Sequence, residues 1–123
     1  MKFLLIAGIG SFFGGMCRYM LSTFVQARNN HQFPWGTFVV NLLGCLLIGC
    51  IIGWAERHVL KDEWRLFLVT GILGGFTTFS AFSGETFNLI RAGQYGVATT
   101  YVVASLVVGI ALTFFGAMLV RQI

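Results

Sequence analysis

Charge is what this chain has least of. Four acidic and eight basic side chains in 123 residues make it 10% charged, against roughly 25% in ordinary soluble domains. So few charges cannot solvate a globular surface, and the 57% hydrophobic content points to lipid instead. No nucleophile, base and orienting acid can be assembled from this set, and no metal or nucleotide motif is present, which argues against an enzyme. His31 and His58 fall in separate loops without nearby ligand partners and read as solvated or interfacial. Cys17, Cys45 and Cys50 lie in apolar stretches without metal-ligand spacing. Cys45 and Cys50, five apart, share no helix face, so small buried hydrophobes is the reading of all three. A net charge of +4 calls for no nucleic-acid partner here, because loop arginines and lysines ordinarily serve topology. Low-complexity segments and internal repeats are absent.

What the chain does have is long apolar runs between charge clusters. Lys2, Arg28, the group Glu56, Arg57, Lys61, Asp62, Glu63 and Arg65, then Arg91 and Arg121 mark the gaps. Each run approaches the roughly 20 residues a helix needs to cross a hydrocarbon core. The expected spans are Phe3 to Val25, Trp35 to Trp54, Leu66 to Leu89 and Val97 to Val120. Residues 1–123 are therefore expected to form one all-α, multi-pass transmembrane domain, an integral membrane protein surrounded by lipid. Lys2 followed by an apolar run imitates a secretory signal, but apolar character continues to Met16, past where such a signal should end, so a retained first helix is expected.

With four spans, both termini and the Ala55 to Arg65 loop share one side. That side carries Lys2, Arg57, Lys61, Arg65 and Arg121, against Arg28, Arg91 and, near its helix end, Arg18: five to three. The positive-inside rule gives only a mild preference from such numbers. Two explanations stay open: a short protein has few loop charges, or the chain inserts both ways up and pairs antiparallel.

Sixteen glycines include the small-xxx-small pairs Gly10 with Gly14, Gly49 with Gly53 and Gly71 with Gly75. Such spacing lets helix backbones approach closely, within one monomer or across a dimer seam. Pro34-Trp35-Gly36-Thr37 opens the second helix with a proline in its first turn and an interfacial tryptophan. Gly93-Gln94-Tyr95-Gly96 reads as a turn between the last two helices.

Polar residues stand inside the spans. Thr37, Asn41 and Gly44 share one face of the second helix. A buried Asn41 amide either bonds across helices or aims its N–H donors at a dehydrated anion. In the third helix Phe76, Phe79 and Phe82 form one stripe, and Thr77, Ser80 and Ser83 a neighbouring one. Phenylalanine stripes usually mean packing, but aromatic edges are partially positive and can meet an anion without a formal charge, and hydroxyls can donate to it. Gly74-Gly75 permits a helix break there, exposing carbonyl oxygens of the kind that suit a hard monovalent cation or buried water. Arg18 and Glu85 are the ionisable groups inside the spans, either functional or reaching to an interface or a pairing partner.

Three segments carry a family resemblance: Gly14-Gly15-Met16-Cys17-Arg18-Tyr19, Gly36-Thr37-Phe38-Val39-Val40-Asn41-Leu42-Leu43-Gly44, and Gly71 through Phe82. In order and spacing they resemble the signatures of the Fluc fluoride channels over essentially the whole chain. The resemblance implies a passive, fluoride-selective channel in the inner (plasma) membrane of a prokaryote. It also implies a dual-topology antiparallel homodimer with two fluoride pores at the subunit interface and a structural sodium ion on the twofold axis. By that likeness Phe79 and Phe82 line the path with their ring edges, Asn41 and Ser83 coordinate, and Tyr101 stands near a pore end. Ser80 joins them through the hydroxyl stripe. Gly74 and Thr77 would offer backbone carbonyls to sodium, while Arg18 and Glu85 match charged positions of the family. The rivals are a small proton-coupled multidrug or guanidinium exporter and a structural assembly subunit. The first helix carries Arg18 and no acid, which counts against the exporter.

Overall fold

Lipid supplies no hydrogen-bond partners, so a chain this apolar must satisfy its backbone within helices. The computed structural model describes residues 1–29 and 31–123, and the described residues are helices joined by short turns. Helix α1 spans Lys2–Arg28 and α2 spans Trp35–Ala55. The third crossing is composite: α3 at Asp62–Arg65, a π-helical stretch at Leu66–Leu73, α4 at Gly74–Phe76, then α5 at Phe79–Arg91. Helix α6 spans Tyr95–Arg121. Four of these units, Lys2–Arg28, Trp35–Ala55, Asp62–Arg91 and Tyr95–Arg121, are long and apolar enough to cross a membrane.

Each expected span lies inside an observed one. The helices run further because Lys2, Arg28, Arg91 and Arg121 sit on terminal turns, where long cationic side chains reach the interface.

Helix α2 is sandwiched between α1 and α6, and the third crossing changes neighbours partway along. Its π-helical and α4 portions pack on α1, whereas α5 packs on α6. The glycine pairs serve this monomer packing. A Cβ on Gly14 would stand 2.1 Å from the Ile72 carbonyl oxygen, and one on Gly49 would stand 2.1 Å from that of Thr113. Gly10 likewise meets Gly71, and Gly53 meets Ala117.

The α5–α6 turn ends in a Schellman arrangement. The Gln94 amide donates to the Leu89 carbonyl at 2.9 Å and the Gly93 amide to that of Ile90 at 3.0 Å, with Gly93 at φ +75. The turn is thus shorter than the sequence suggests, since Tyr95 and Gly96 already belong to α6. Pro34 caps α2 from just outside. Cys45 and Cys50 both face α6, beside Gly109 and Gly116, so the two share a face after all, because the broad α2–α6 contact spans more of the helix than one row of side chains. Cys17 is exposed on α1, a correction to its expected burial. At the end holding both termini, Lys2 pairs with Glu63 and Arg121 with Glu56.

Candidate functional site

The break in the third crossing organises the site. It falls at Thr77 and Thr78, just beyond the expected Gly74-Gly75: Thr77 has ψ 152 and Thr78 has φ −146 and ψ 117, both extended. Gly74 keeps helical angles, φ −63 and ψ −36. Gly75 is used for contact, because a Cβ there would stand 2.4 Å from the Ser11 carbonyl oxygen.

A broken helix in lipid needs substitute partners. Asn41 supplies them: its Oδ1 accepts from the Thr78 amide at 2.9 Å and its Nδ2 donates to the Thr78 carbonyl at 3.1 Å. Gly44, one turn on, leaves room for the Thr77 methyl, which a Cβ at that position would meet at 2.1 Å. The Thr78 hydroxyl then caps α5, accepting from the Ala81 amide at 3.2 Å. In an unbroken helix the Thr78 and Ala81 amides would serve the carbonyls of Gly74 and Thr77. Diverting both amides frees those two oxygens.

Beside the break lies an open cavity of about 440 Å³. Asn41, Thr77, Thr78, Phe79 and Phe82 line it, Ser105 and Leu106 of α6 close one wall, and no charged side chain reaches it. The rings of Phe79 and Phe82 stand 5.7 Å apart, centre to centre, at 42°. Phe79 is 76% exposed. Phe82 is half-buried and packs at 5.0 Å on Tyr101. Ser80 and Ser83 are exposed on α5 and do not line the cavity; the Ser80 hydroxyl stands 3.2 Å from that of Thr78.

Tyr101 is fully buried, among the rings of Phe33, Phe38 and Phe82. Its hydroxyl donates to Glu85 Oε2 at 2.8 Å, and Thr37 donates to Oε1 at 2.6 Å. Glu85 is therefore tied by two hydroxyls, and no ion pair to it occurs among the described residues. Beyond Glu85 a second cavity, of about 370 Å³, is lined by His31, Gln32, Asn88 and Gln94 among others. Arg18 stands apart from both cavities, with a buried Nε that meets no hydrogen-bond partner among the described residues.

Sequence reasoning placed Thr37, Asn41 and Gly44 on one face, and the structure turns that face toward the third crossing. It missed Ser105, the one serine of α6, set among apolar residues from Val102 to Leu112. It also missed the hydroxyl pair on Glu85, which no local spacing announces.

Comparison with known proteins bears on this arrangement. The family model described as "CrcB-like protein, Camphor Resistance (CrcB)" matches residues 5–117. A protein of Phocaeicola vulgatus named "Fluoride-specific ion channel FluC" is 43% identical over 110 residues, covering 89% of this chain and 91% of the relative. Proteins of the same name from Oceanobacillus iheyensis and Thermus thermophilus are 42% and 44% identical, covering 97% and 94% of this chain and 92% and 90% of the relatives.

Proposed function

This chain belongs to the CrcB-like family, and from that membership we propose that it is a fluoride-selective passive channel of a prokaryotic plasma membrane. Fluoride that accumulates inside the cell leaves through it down the electrochemical gradient. The observation that carries the reading is the neutral cavity at the break, where Asn41 and the rings of Phe79 and Phe82 meet with no charged side chain among them. Fluoride is small and strongly hydrated. Its path must replace water with donors, and uncharged donors do so without trapping the ion. The Asn41 amide has a second N–H beyond the one given to Thr78, and ring edges add partial positive charge. Ser80 and Ser83 extend this row of donors along α5, and Tyr101 with Glu85 stands at one end of the path.

The working unit in this proposal is an antiparallel homodimer of dual topology, with two pores at the interface. Phe79, Ser80, Ser83 and Gly84 are exposed along α5, on a segment that crosses the membrane. Lipid cannot satisfy such hydroxyls, and a second copy covers them better than acyl chains. The weak five-to-three charge bias agrees with insertion in both orientations.

Sodium is a proposed structural ion of that dimer. The carbonyls of Gly74 and Thr77 fit it, because the Thr78 and Ala81 amides that would occupy them are bonded to Asn41 and to the Thr78 hydroxyl. When bound, the ion supplies a fixed positive charge that holds these oxygens together.

Efflux from proteoliposomes, followed with a fluoride electrode, tests the reading. Fluoride should leave far faster than chloride and with no proton gradient imposed. A flux that needs a proton gradient would favour the small exporter instead, and none at all would leave a structural subunit.

A further inference from the structure

The cavity beyond Glu85 has a composition that the pathway chemistry does not account for. Of the side chains lining it, Glu85 and His31 are the titratable ones, and Gln32, Asn88 and Gln94 supply neutral amides. A carboxylate at the mouth of an anion path repels the ion it should pass. In a low-dielectric cleft that repulsion is poorly screened.

His31 shares that lining, on a turn that is tied down. The 31–34 turn is clamped from α1 by Gln26, whose Nε2 donates to the Phe33 carbonyl at 3.2 Å and whose Oε1 accepts from the Gly36 amide at 3.0 Å. From the same turn the Phe33 ring packs at 5.4 Å on Tyr101, the residue that bonds Glu85. Other charged groups at this end are engaged elsewhere. Arg28, at the end of α1, lies 3.9 Å from the Phe24 ring centre, and Arg91, at the end of α5, lies 5.7 Å from that of Phe87; neither lines the cavity. Tyr95, at the start of α6, is exposed and does not line it either.

Resting on the fluoride-channel reading, we propose that the His31–Glu85 cavity is the aqueous mouth of the pathway and that His31, when protonated, offsets the Glu85 charge and speeds fluoride through it. Imidazole is the side chain that ordinarily changes charge between pH 5 and 8. The mouth is therefore a pH-tuned electrostatic filter, more permissive in the acidic conditions under which fluoride loads a cell as its neutral acid.

The test is fluoride efflux from proteoliposomes at matched inner and outer pH, from 7.5 down to 5.5, with protein-free vesicles subtracted at each pH to remove leakage of the neutral acid. Wild-type flux should rise about threefold as pH falls, the scale of one added charge near a partly screened cleft. His31→Gln should hold the low, pH-independent rate, and His31→Lys the high one even at pH 7.5. Chromatography of each variant checks that it assembles as wild type does. A His31→Gln protein that keeps the full rise, or a His31→Lys protein no faster than wild type at pH 7.5, overturns the proposal while leaving fluoride conduction intact. A wild type that passes no fluoride overturns the channel reading itself.

Discussion

Asn41 and Thr78 are joined by two hydrogen bonds, at 2.9 and 3.1 Å, in which one side-chain amide takes the place of the helical partners of one backbone unit. The amide both permits the break in the third crossing and stands in the cavity beside it. In the proposed channel, stability and conduction are thereby linked in a single side chain.

Asn41→Ala should remove both. It leaves the Thr78 N–H and C=O without partners, at about 1–3 kcal/mol for each unsatisfied group, and it deletes the donor that the proposed pathway offers to the ion. Thermal unfolding in detergent should show a clear fall in Tm, with fluoride efflux reduced at temperatures where the protein is still folded. An Asn41→Ala protein as stable as wild type would mean that water serves Thr78 adequately.

Phe79→Ile and Phe82→Ile should separate packing from transport. Both keep apolar volume and lose the aromatic edge. Phe79 is 76% exposed in the monomer, so its replacement should cut efflux with little change in unfolding temperature. Phe82 packs at 5.0 Å on Tyr101, so its replacement should cut efflux and also cost about 1 kcal/mol of stability. Full efflux in both variants would return these rings to a purely packing role.

Tyr101→Phe keeps the buried ring and removes the hydroxyl that donates to Glu85. The carboxylate then retains Thr37 alone of its two hydroxyl partners. Losing a hydrogen bond to such a group should cost about 1.5–3 kcal/mol, read as a lowered denaturation midpoint. Glu85→Gln should still pass fluoride without a proton gradient. A proton-coupled mechanism predicts that this variant loses transport altogether.

Gly49→Val should prevent normal folding of the monomer, because even a Cβ would stand 2.1 Å from the Thr113 carbonyl oxygen across the α2–α6 contact. Gly8→Val, at a position with open space around it, is the control and should express as wild type does. Yield and monodispersity on size exclusion report the difference.

The Glu56–Arg121 pair should matter little. The Arg121 guanidinium holds the Glu56 carboxyl below its usual value through a hydrogen bond and then through its charge. A lowered native value means that the stabilisation is present at neutral pH and is lost as pH falls through the range where Glu56 protonates. The pair is exposed, and such pairs are weak. Glu56→Gln should therefore shift Tm only slightly at pH 7 and not at all once the pair is protonated in strong acid.

Hydropathy and length by themselves determined the four crossings, since insertion into lipid depends on local composition, and each expected span sits inside an observed crossing. The polar residues misplaced in an apolar chain, Asn41, Thr77, Ser80 and Glu85 among them, were legible for the same reason. Where the third helix breaks was not, because glycine permits a break without requiring one, and Gly75 is spent on contact with Ser11. Nor could the choice between monomer packing and dimer seam be read for the glycine pairs, which close the α1 and α2–α6 contacts of one subunit. The partners of Asn41 and Thr37 lie 37 and 48 residues away in sequence. Only the way the helices cross decides which distant donor meets which acceptor, and that geometry is a property of the packed bundle rather than of any one segment.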